Sequence, residues 1–444
     1  MREREGREMN RYRRVLFAIC LLGLVARLGL GWHAGVDELG SDTIYFRDVA
    51  DEVASTGRYL FEYGGTTSAA SHPPAFVMVL AAGEVVGVDG VAGQRVLLAL
   101  VGVVGVAFTG LAGFRLGGPI VGSVSAAVAA IHPLWVQPGV IVMSESLYLT
   151  VVAGAILASL VHLAKRTPFS AAVVGATVGV AALTRSEAAL TLVLLAPILV
   201  LLRGISWKAR GRLAAGFAIG AVLVMGPWVA RNTLVFGTPV LSTNGGVTLA
   251  GANCDRTYSG PNQGGFDLRC ALTATVNGWG RAGADGERDL EIRTDTVLRE
   301  DAFLYMRDHP RAAAETSVMR VLRTWTPVRL DAQVRIDTAE GRLPRWQTVG
   351  RWMYGALMVP AVIGAIALFR SHRRRAAVLG VFVVQVTVTV ALVYGSARMR
   401  AAAEPSIALF AAVGVATVLG WVGGGPEMGT AEVEAEAEAI SSSA

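Results

Sequence analysis

Charge is what this sequence has least of. Only 17% of its 444 residues are charged, while 53% are hydrophobic, and the mean hydropathy is +0.50. A soluble chain of this length needs far more charge to cover its surface, so a soluble globular protein is excluded. The signatures of nucleotide hydrolysis are also missing. There is no Walker loop or other ATP-binding pattern, and no GxSxG or zincin motif. The chemistry is therefore not expected to be driven by nucleotide hydrolysis in this chain. Cysteine is rare, with three residues. Cys20 falls in a hydrophobic run and reads as a small core residue. Cys254 and Cys270 flank a polar stretch containing Ser259-Gly260-Pro261-Asn262-Gln263-Gly264-Gly265. In an oxidising compartment a disulfide closing this loop is expected, the alternative being two free thiols. No histidine lies between them, which argues against a metal.

What the chain has is apolar runs and small residues. The 52 glycines suit close helix packing in lipid. A span needs about 20 apolar residues. On that basis about ten spans are predicted, near 15–33, 94–114, 119–136, 146–164, 169–184, 187–202, 213–230, 351–369, 376–394 and 405–422, the fifth and sixth being short. The first is read as an uncleaved helix, since no small-residue cleavage site follows it. The net charge of +6 comes from arginines at span ends and is no sign of nucleic-acid binding. Arg2, Arg4, Arg7, Arg11, Arg13 and Arg14 precede span one; Arg115 follows span two; Lys165 and Arg166 follow span four. Arg203, Lys208, Arg210 and Arg212 follow span six, and Arg370, Arg373, Arg374 and Arg375 follow span eight. All these clusters then fall on one side, which the positive-inside rule makes cytoplasmic.

This divides the chain into a cytoplasmic start (1–14), a membrane module (15–230) with an outer loop (34–93), an extracytoplasmic segment (231–350), C-terminal membrane helices (351–422) and a disordered cytoplasmic tail (423–444). In the first loop, Ile44, Phe46, Val49, Val53 and Tyr59 have rough helical spacing and predict a helix along the membrane surface. A second interfacial helix is predicted after Pro73-Pro74, where residues 75–88 are apolar but too short to span. The segment 231–350 reads as polar and glycine-rich to about 285, then helical to about 325 with a break at Pro310.

Charges at the outer ends of spans are costly and therefore candidates for function. They are Asp42 in the first loop, Arg95 at the start of span two, Glu145 opening span four, Arg185 and Glu187 between spans five and six, Arg231 after span seven, and Arg398, Arg400 and Glu404 before span ten. Carboxylates and guanidiniums on one face suit transfer from a lipid-linked phosphate. A carboxylate takes a proton from an acceptor hydroxyl. Guanidiniums hold phosphate oxygens in a planar fork. The bland readings are helix caps for Asp42 and Glu145, membrane anchoring or ion pairing for the arginines, and a surface residue before a proline turn for His72.

Along the chain, Ser41-Asp42-x-x-Tyr45, His72-Pro73-Pro74, Ala92-Gly93-Gln94-Arg95, Arg115-Leu116-Gly117-Gly118, Ser144-Glu145, Thr184-Arg185-Ser186-Glu187 and Arg398-x-Arg400-x-x-x-Glu404-Pro405 occur in this order. Together they resemble the lipid-dependent glycosyltransferases of the GT-C fold, in the bacterial branch related to protein mannosyltransferases and the lipid A aminoarabinose transferase (glycosyltransferase family 39-like). The resemblance implies an all-α polytopic membrane protein, a GT-C-type bundle of about ten transmembrane helices with interfacial helices in the first outer loop. It implies a multi-pass enzyme of the cell membrane that moves a hexosyl or pentosyl group from a polyprenyl-phosphate sugar to a lipid, glycan or protein acceptor on the extracytoplasmic face. Asp42 would be the base and Glu145 its support; Arg95, Arg185, Arg398 and Arg400 would hold the donor phosphate; Tyr45, His72 and Glu187 would complete the site. Two positions depart from the family pattern: His72 stands where relatives carry a phosphate-binding lysine, and Thr43 where many carry a second acidic residue. No cofactor is fixed by the sequence; a divalent metal stays open, although Thr43 does not support one beside Asp42. The rival readings are a polytopic transporter or lipid flippase, which inverted repeats would favour, and a scaffold whose charged groups do not converge.

Overall fold

The structure, a computed structural model, describes residues 2–34, 41–63, 66–282, 287–328, 330–339 and 341–421. The expected tail 423–444 lies outside these residues, as do Asp37 and Glu38 of the first loop.

Among the described residues the chain is mainly helical, with one short hairpin. Helix α1 (Arg2–His33) is followed by α2 (Ser41–Thr56), the antiparallel hairpin β1 (Phe61–Tyr63) and β2 (Thr66–Ser68), and α3 (Ala75–Val85). Then come α4 (Gly90–Ile131), α5 (Pro133–Val140), α6 (Glu145–Lys165), α7 (Pro168–Thr184), α8 (Ala189–Val200) and α9 (Trp207–Phe236). A run of α10 (Gly245–Ala252), α11 (Asp255–Tyr258), α12 (Leu268–Ala282), α13 (Glu287–Asp308), α14 (Pro310–Trp325) and α15 (Leu330–Ala339) leads to α16 (Pro344–Ser371), α17 (Arg373–Leu392) and α18 (Glu404–Val418). A 3-10 helix over Ala397–Ala403 joins the last two.

Among the described residues, seven helices are long and apolar enough to cross a membrane: Glu8–His33, Gly90–Ile131, Glu145–Lys165, Trp207–Phe236, Pro344–Ser371, Arg373–Leu392 and Ala397–Val418. The second of these is two helices. It turns at Gly117 and Gly118, the latter left-handed at φ 80°, and Pro119 starts the return. The halves lie side by side, with the Ser125 hydroxyl donating to the Thr109 carbonyl at 3.3 Å. They coincide with the second and third expected spans. The short fifth and sixth coincide with α7 and with α8 and the turn before it, which are apolar but shorter than a full crossing. Both expected interfacial helices are present as α2 and α3. Phe46 and Val49 of α2 are buried against the protein while Ile44 is exposed, so this helix is sided.

The polar, glycine-rich stretch before 285 folds into α10, α11 and α12. Its glycines serve close packing here. A Cβ on Gly246 would lie 2.2 Å from the Asp295 carbonyl of α13. Pro310 opens α14 as its first residue and so separates α13 from α14. Cys254 and Cys270 are joined by a disulfide, and Cys20 is a half-buried free thiol.

Two further helix pairs touch backbone to backbone. A Cβ on Gly364 of α16 would lie 1.9 Å from the Phe410 carbonyl of α18, and one on Gly414 the same distance from the Pro360 carbonyl. Gly175 and Gly220 make the corresponding contact between α7 and α9, each 2.0 Å from a carbonyl oxygen of the other helix. Only residues without a side chain allow this approach.

The basic clusters gather at one end of the bundle. Arg374 donates to the Leu201 carbonyl at 3.2 Å and Arg375 to the Arg115 carbonyl at 3.4 Å, and Arg166, Arg203 and Arg210 lie close enough to act on the Arg374 charge. Helix α6 runs from Glu145 to Lys165, which sets its two ends about 30 Å apart. Helix α17 likewise begins at Arg373 and leads out to Arg398. The acidic and guanidinium candidates therefore occupy the end opposite the basic clusters.

Candidate functional site

At that opposite end, five separate pieces of chain bring charges together. Asp42 is the second residue of α2, and its side chain keeps 33% of its surface exposed. Its Oδ2 accepts from the Arg398 Nη2 at 2.8 Å. The same guanidinium donates through Nε to Glu145 Oε1 in a short contact. Glu145, 1% exposed at the start of α6, also faces Arg185 Nη1 at 3.2 Å and Arg342 Nη2 at 3.4 Å. Arg185 in turn donates through Nε to Glu187 Oε1 at 2.6 Å, reaches Met399 Sδ at 3.6 Å and lies over the Tyr148 ring. Three guanidiniums thus converge on one buried carboxylate. Glu145 Oε2 and the Tyr148 hydroxyl are buried with no hydrogen-bond partner among the described residues.

Local sequence explains these positions. Glu145 and Arg185 sit where apolar helices end, so their charges need not cross the bundle. Ser396 accepts from the Arg398 N–H at 3.1 Å and so caps the 3-10 helix that carries this arginine. The Thr43 hydroxyl beside Asp42 donates to the Ile141 carbonyl at 2.8 Å, docking α2 onto the turn before Glu145. Thr43 is used as a hydrogen-bond donor, and among the described residues no group of three or more His, Cys, Asp or Glu side chains is arranged to hold a metal ion.

His72 is packed between Tyr45 and Phe46, with ring centroids 4.8 and 5.0 Å away. Its N–H donates to the Tyr45 hydroxyl at 3.4 Å, and its carbonyl accepts from the Tyr59 hydroxyl at 3.1 Å. Burial lowers the imidazole pKa from its ordinary value; nearby Asp42 opposes this and the Arg398 and Arg185 charges reinforce it. For Asp42, burial pushes the carboxyl up, but the Arg398 guanidinium outweighs it, with help from His72, and the net direction is down.

Of the candidates that the sequence singles out, the structure brings together Asp42, Glu145, Arg185, Glu187 and Arg398, with Tyr45 and His72 alongside. The convergence is opposite to what a scaffold with scattered charges requires. Two arginines are engaged elsewhere. Arg95 donates to the carbonyls of Val140, Gly31 and Ala34 at 2.7, 3.0 and 3.0 Å, and so ties α1 to α5. Arg400 pairs with Glu404 at 2.6 Å, stacks on Tyr354 at 3.5 Å and donates to the Thr324 carbonyl.

Two residues that reach the site have no signal at a span end. Arg342 lies two residues before Pro344, the first residue of α16. Glu291 on α13 accepts from the Ser68 hydroxyl at 2.9 Å, from the Ala69 and Ala70 N–H groups at 2.7 and 3.1 Å, and from the Thr243 hydroxyl. Arg231 donates to the Ala69 and Tyr59 carbonyls at 2.8 and 3.3 Å. Together Glu291 and Arg231 hold the loop that leads into His72.

Neither a protein-family model nor a curated protein matches the sequence. Solved structures do match. The archaeal oligosaccharyltransferase AglB from Archaeoglobus fulgidus, solved in complex with an inhibitory peptide and a dolichol-phosphate, is 14% identical over 92% of this chain and 50% of its own, with a TM-score of 0.57. The apo form of the Archaeoglobus fulgidus oligosaccharyltransferase gives 15% identity, 92% and 51% coverage and a TM-score of 0.56. ArnT from Cupriavidus metallidurans in the apo state is 15% identical over 92% of this chain and 78% of its own, at a TM-score of 0.40. The chain spans about half the length of the oligosaccharyltransferases it matches. At these identities the likeness is one of fold, and the fold is the GT-C fold of a polytopic membrane protein.

Proposed function

We propose that this chain is a membrane glycosyltransferase that moves a sugar from a polyprenyl-phosphate donor to an acceptor hydroxyl on the extracytoplasmic face, with inversion at the anomeric carbon. One observation carries the reading: the Arg398 guanidinium is shared between a partly exposed carboxylate, Asp42, and a buried one, Glu145. A base and a phosphate-binding fork therefore stand side by side. The GT-C fold supports it, and so does the dolichol-phosphate held by AglB. The gathering of basic clusters at the opposite end supports an extracytoplasmic site.

On this reading Asp42 takes the proton of the acceptor hydroxyl, whose oxygen forms the new bond to the anomeric carbon. The bond from that carbon to the phosphate oxygen breaks, and the polyprenyl phosphate leaves with the electron pair. Arg398 and Arg185 stabilise the charge gathering on the phosphate. Glu145 fixes both guanidiniums by opposing charge in a buried place, which keeps them oriented before the donor arrives. Asp42 occupies one edge of the Arg398 fork, and an incoming phosphate takes that edge over, freeing the carboxylate as a base.

The test is transfer of radiolabelled sugar in membranes expressing the wild-type chain or Asp42→Asn. A positioned base contributes about 10²- to 10⁴-fold, so the variant is expected to lose at least about 100-fold in rate. Full activity in Asp42→Asn would sink the mechanism.

A further inference from the structure

Arg320 and Arg323 on α14 lie outside the charged cluster, yet they are 1% and 2% exposed. Burying a guanidinium is costly unless its donors are satisfied, so an arginine in such a place needs a reason that a leucine would not serve. Both spread their forks over main-chain carbonyls of two distant segments. Arg320 donates through Nη1 to Ala391 and Leu392 at 3.3 and 3.2 Å, and through Nη2 to Ala252 at 2.7 Å and the Asn253 side chain at 2.9 Å. Arg323 donates through Nε to the Gly395 carbonyl at 3.2 Å, and through Nη1 to Pro261 and Gln263 at 3.4 and 3.3 Å. The first segment is the end of α17 and the turn after it. The second reaches into the loop that the Cys254–Cys270 disulfide closes.

The two segments also touch directly. Gly395 N–H donates to the Gly264 carbonyl at 2.8 Å. A Cβ on Gly395 would lie 2.1 Å from the Arg320 carbonyl, so no other residue fits there without a shift. Ser396 comes next and caps the 3-10 helix at Arg398. Beyond Arg398, Arg400 donates to the Thr324 carbonyl of α14 at 2.8 Å. The turn that carries Arg398 is thus fastened to α14 on both sides.

We propose that Arg323 is a positioning residue for Arg398: by holding Gly395 against the disulfide-closed loop, it sets the 3-10 turn so that the Arg398 fork meets Asp42 and Glu145 together. The disulfide keeps in place the carbonyls on which Arg323 rests. The catalytic part of this inference rests on the proposed transfer reaction; the mechanical part does not. The charges that act most on Asp42 are those of Arg398, His72 and Glu145. If Arg323 acts through Arg398, its loss must show as a change in how Asp42 titrates. A residue that merely stabilised the fold would leave that unchanged.

The test uses the full chain in lipid nanodiscs, as wild type, Arg323→Gln, Arg323→Lys, Gly395→Ala and the double variant Cys254→Ser/Cys270→Ser. Hydrogen–deuterium exchange over 393–401 is expected to rise in every variant, least in Arg323→Lys, with no change over 160–166 at the far end. Sugar transfer is expected to fall by about 10- to 100-fold, the scale of a small misplacement of an oriented group, and the acid limb of the rate–pH profile is expected to move up. Unchanged exchange over 393–401 in a folded Arg323→Gln overturns the proposal, and so does slower transfer with the acid limb unmoved. Should Arg323→Gln not fold, Gly395→Ala and the cysteine pair decide by the same readouts. A wild-type chain that transfers no sugar would remove the reaction, and the exchange result would still decide whether Arg323 holds the turn.

Discussion

Arg398 joins Asp42 to Glu145: one guanidinium donates to the first carboxylate through Nη2 and to the second through Nε. Two edges of a planar fork are in use at once, which a single ammonium cannot reproduce. Arg398→Lys is therefore expected to lower sugar transfer by about 10²- to 10³-fold, the usual loss on removing one preorganised charge stabiliser. The radiolabel assay in membranes reads this, and near-wild-type transfer by the lysine variant would take Arg398 out of the leaving-group role.

The pH dependence follows from the same contact. The Asp42 carboxyl is raised by burial and lowered by Arg398 and His72 together, so its folded pKa lies below its ordinary value. A depressed carboxyl contributes stability above its unfolded pKa and loses it as pH falls through the folded one. As a base it works above its folded pKa, so transfer should persist as pH falls past the ordinary aspartate value of about 3.9. Arg398→Gln removes the lowering charge and should shift the acid limb to higher pH. A rate–pH profile with the same acid limb in both proteins would contradict this account.

Arg400 should behave differently from its neighbour. Its partner Glu404 is 2% exposed, and Arg400 itself lies over the Tyr354 ring. Arg400→Ala leaves a buried carboxylate without its cation, which costs on the order of 3–5 kcal/mol. Thermal unfolding in detergent should show a clear loss of stability, and an unchanged unfolding temperature would contradict the pairing with Glu404.

Glu291 gathers two hydroxyls and two main-chain N–H groups onto one carboxylate. Glu291→Ala removes all four acceptor contacts, and each donor left unpaired costs about 1–3 kcal/mol where it is buried. Exchange over 68–72 is expected to rise, and transfer to fall by about 10-fold as His72 and Tyr45 lose their fixed contact. Unchanged exchange in that segment would show that Arg231 alone holds it.

Depth is readable from the sequence, and direction around the bundle is not. Apolar runs and basic clusters place Asp42, Glu145, Arg185, Glu187 and Arg398 at one level, because a charge is tolerated only where a span ends. They do not say which way each side chain points. Arg398 and Arg400 look equivalent in the sequence, being two residues apart, but a 3-10 helix has about three residues per turn, so the two leave it on different faces. One meets Asp42 and the other meets Glu404. Arg95 stands at the right depth and spends itself on carbonyls. Arg342 and Glu291 escape a reading by depth, because they lie within the stretch 231–350, which has no span boundaries to mark their level. Arg320 and Arg323 look in the sequence like part of an ordinary amphipathic helix, and only the contacts with Gly395 distinguish them.

The glycine contacts between α16 and α18 and between α7 and α9 bear on how an isoprenoid tail could approach. With carbonyl oxygens already where a Cβ would stand, neither seam has the width of a methylene. On the proposed reaction, a lipid-linked donor moving sideways through the bilayer finds no passage at these contacts and would reach Asp42 between other helices.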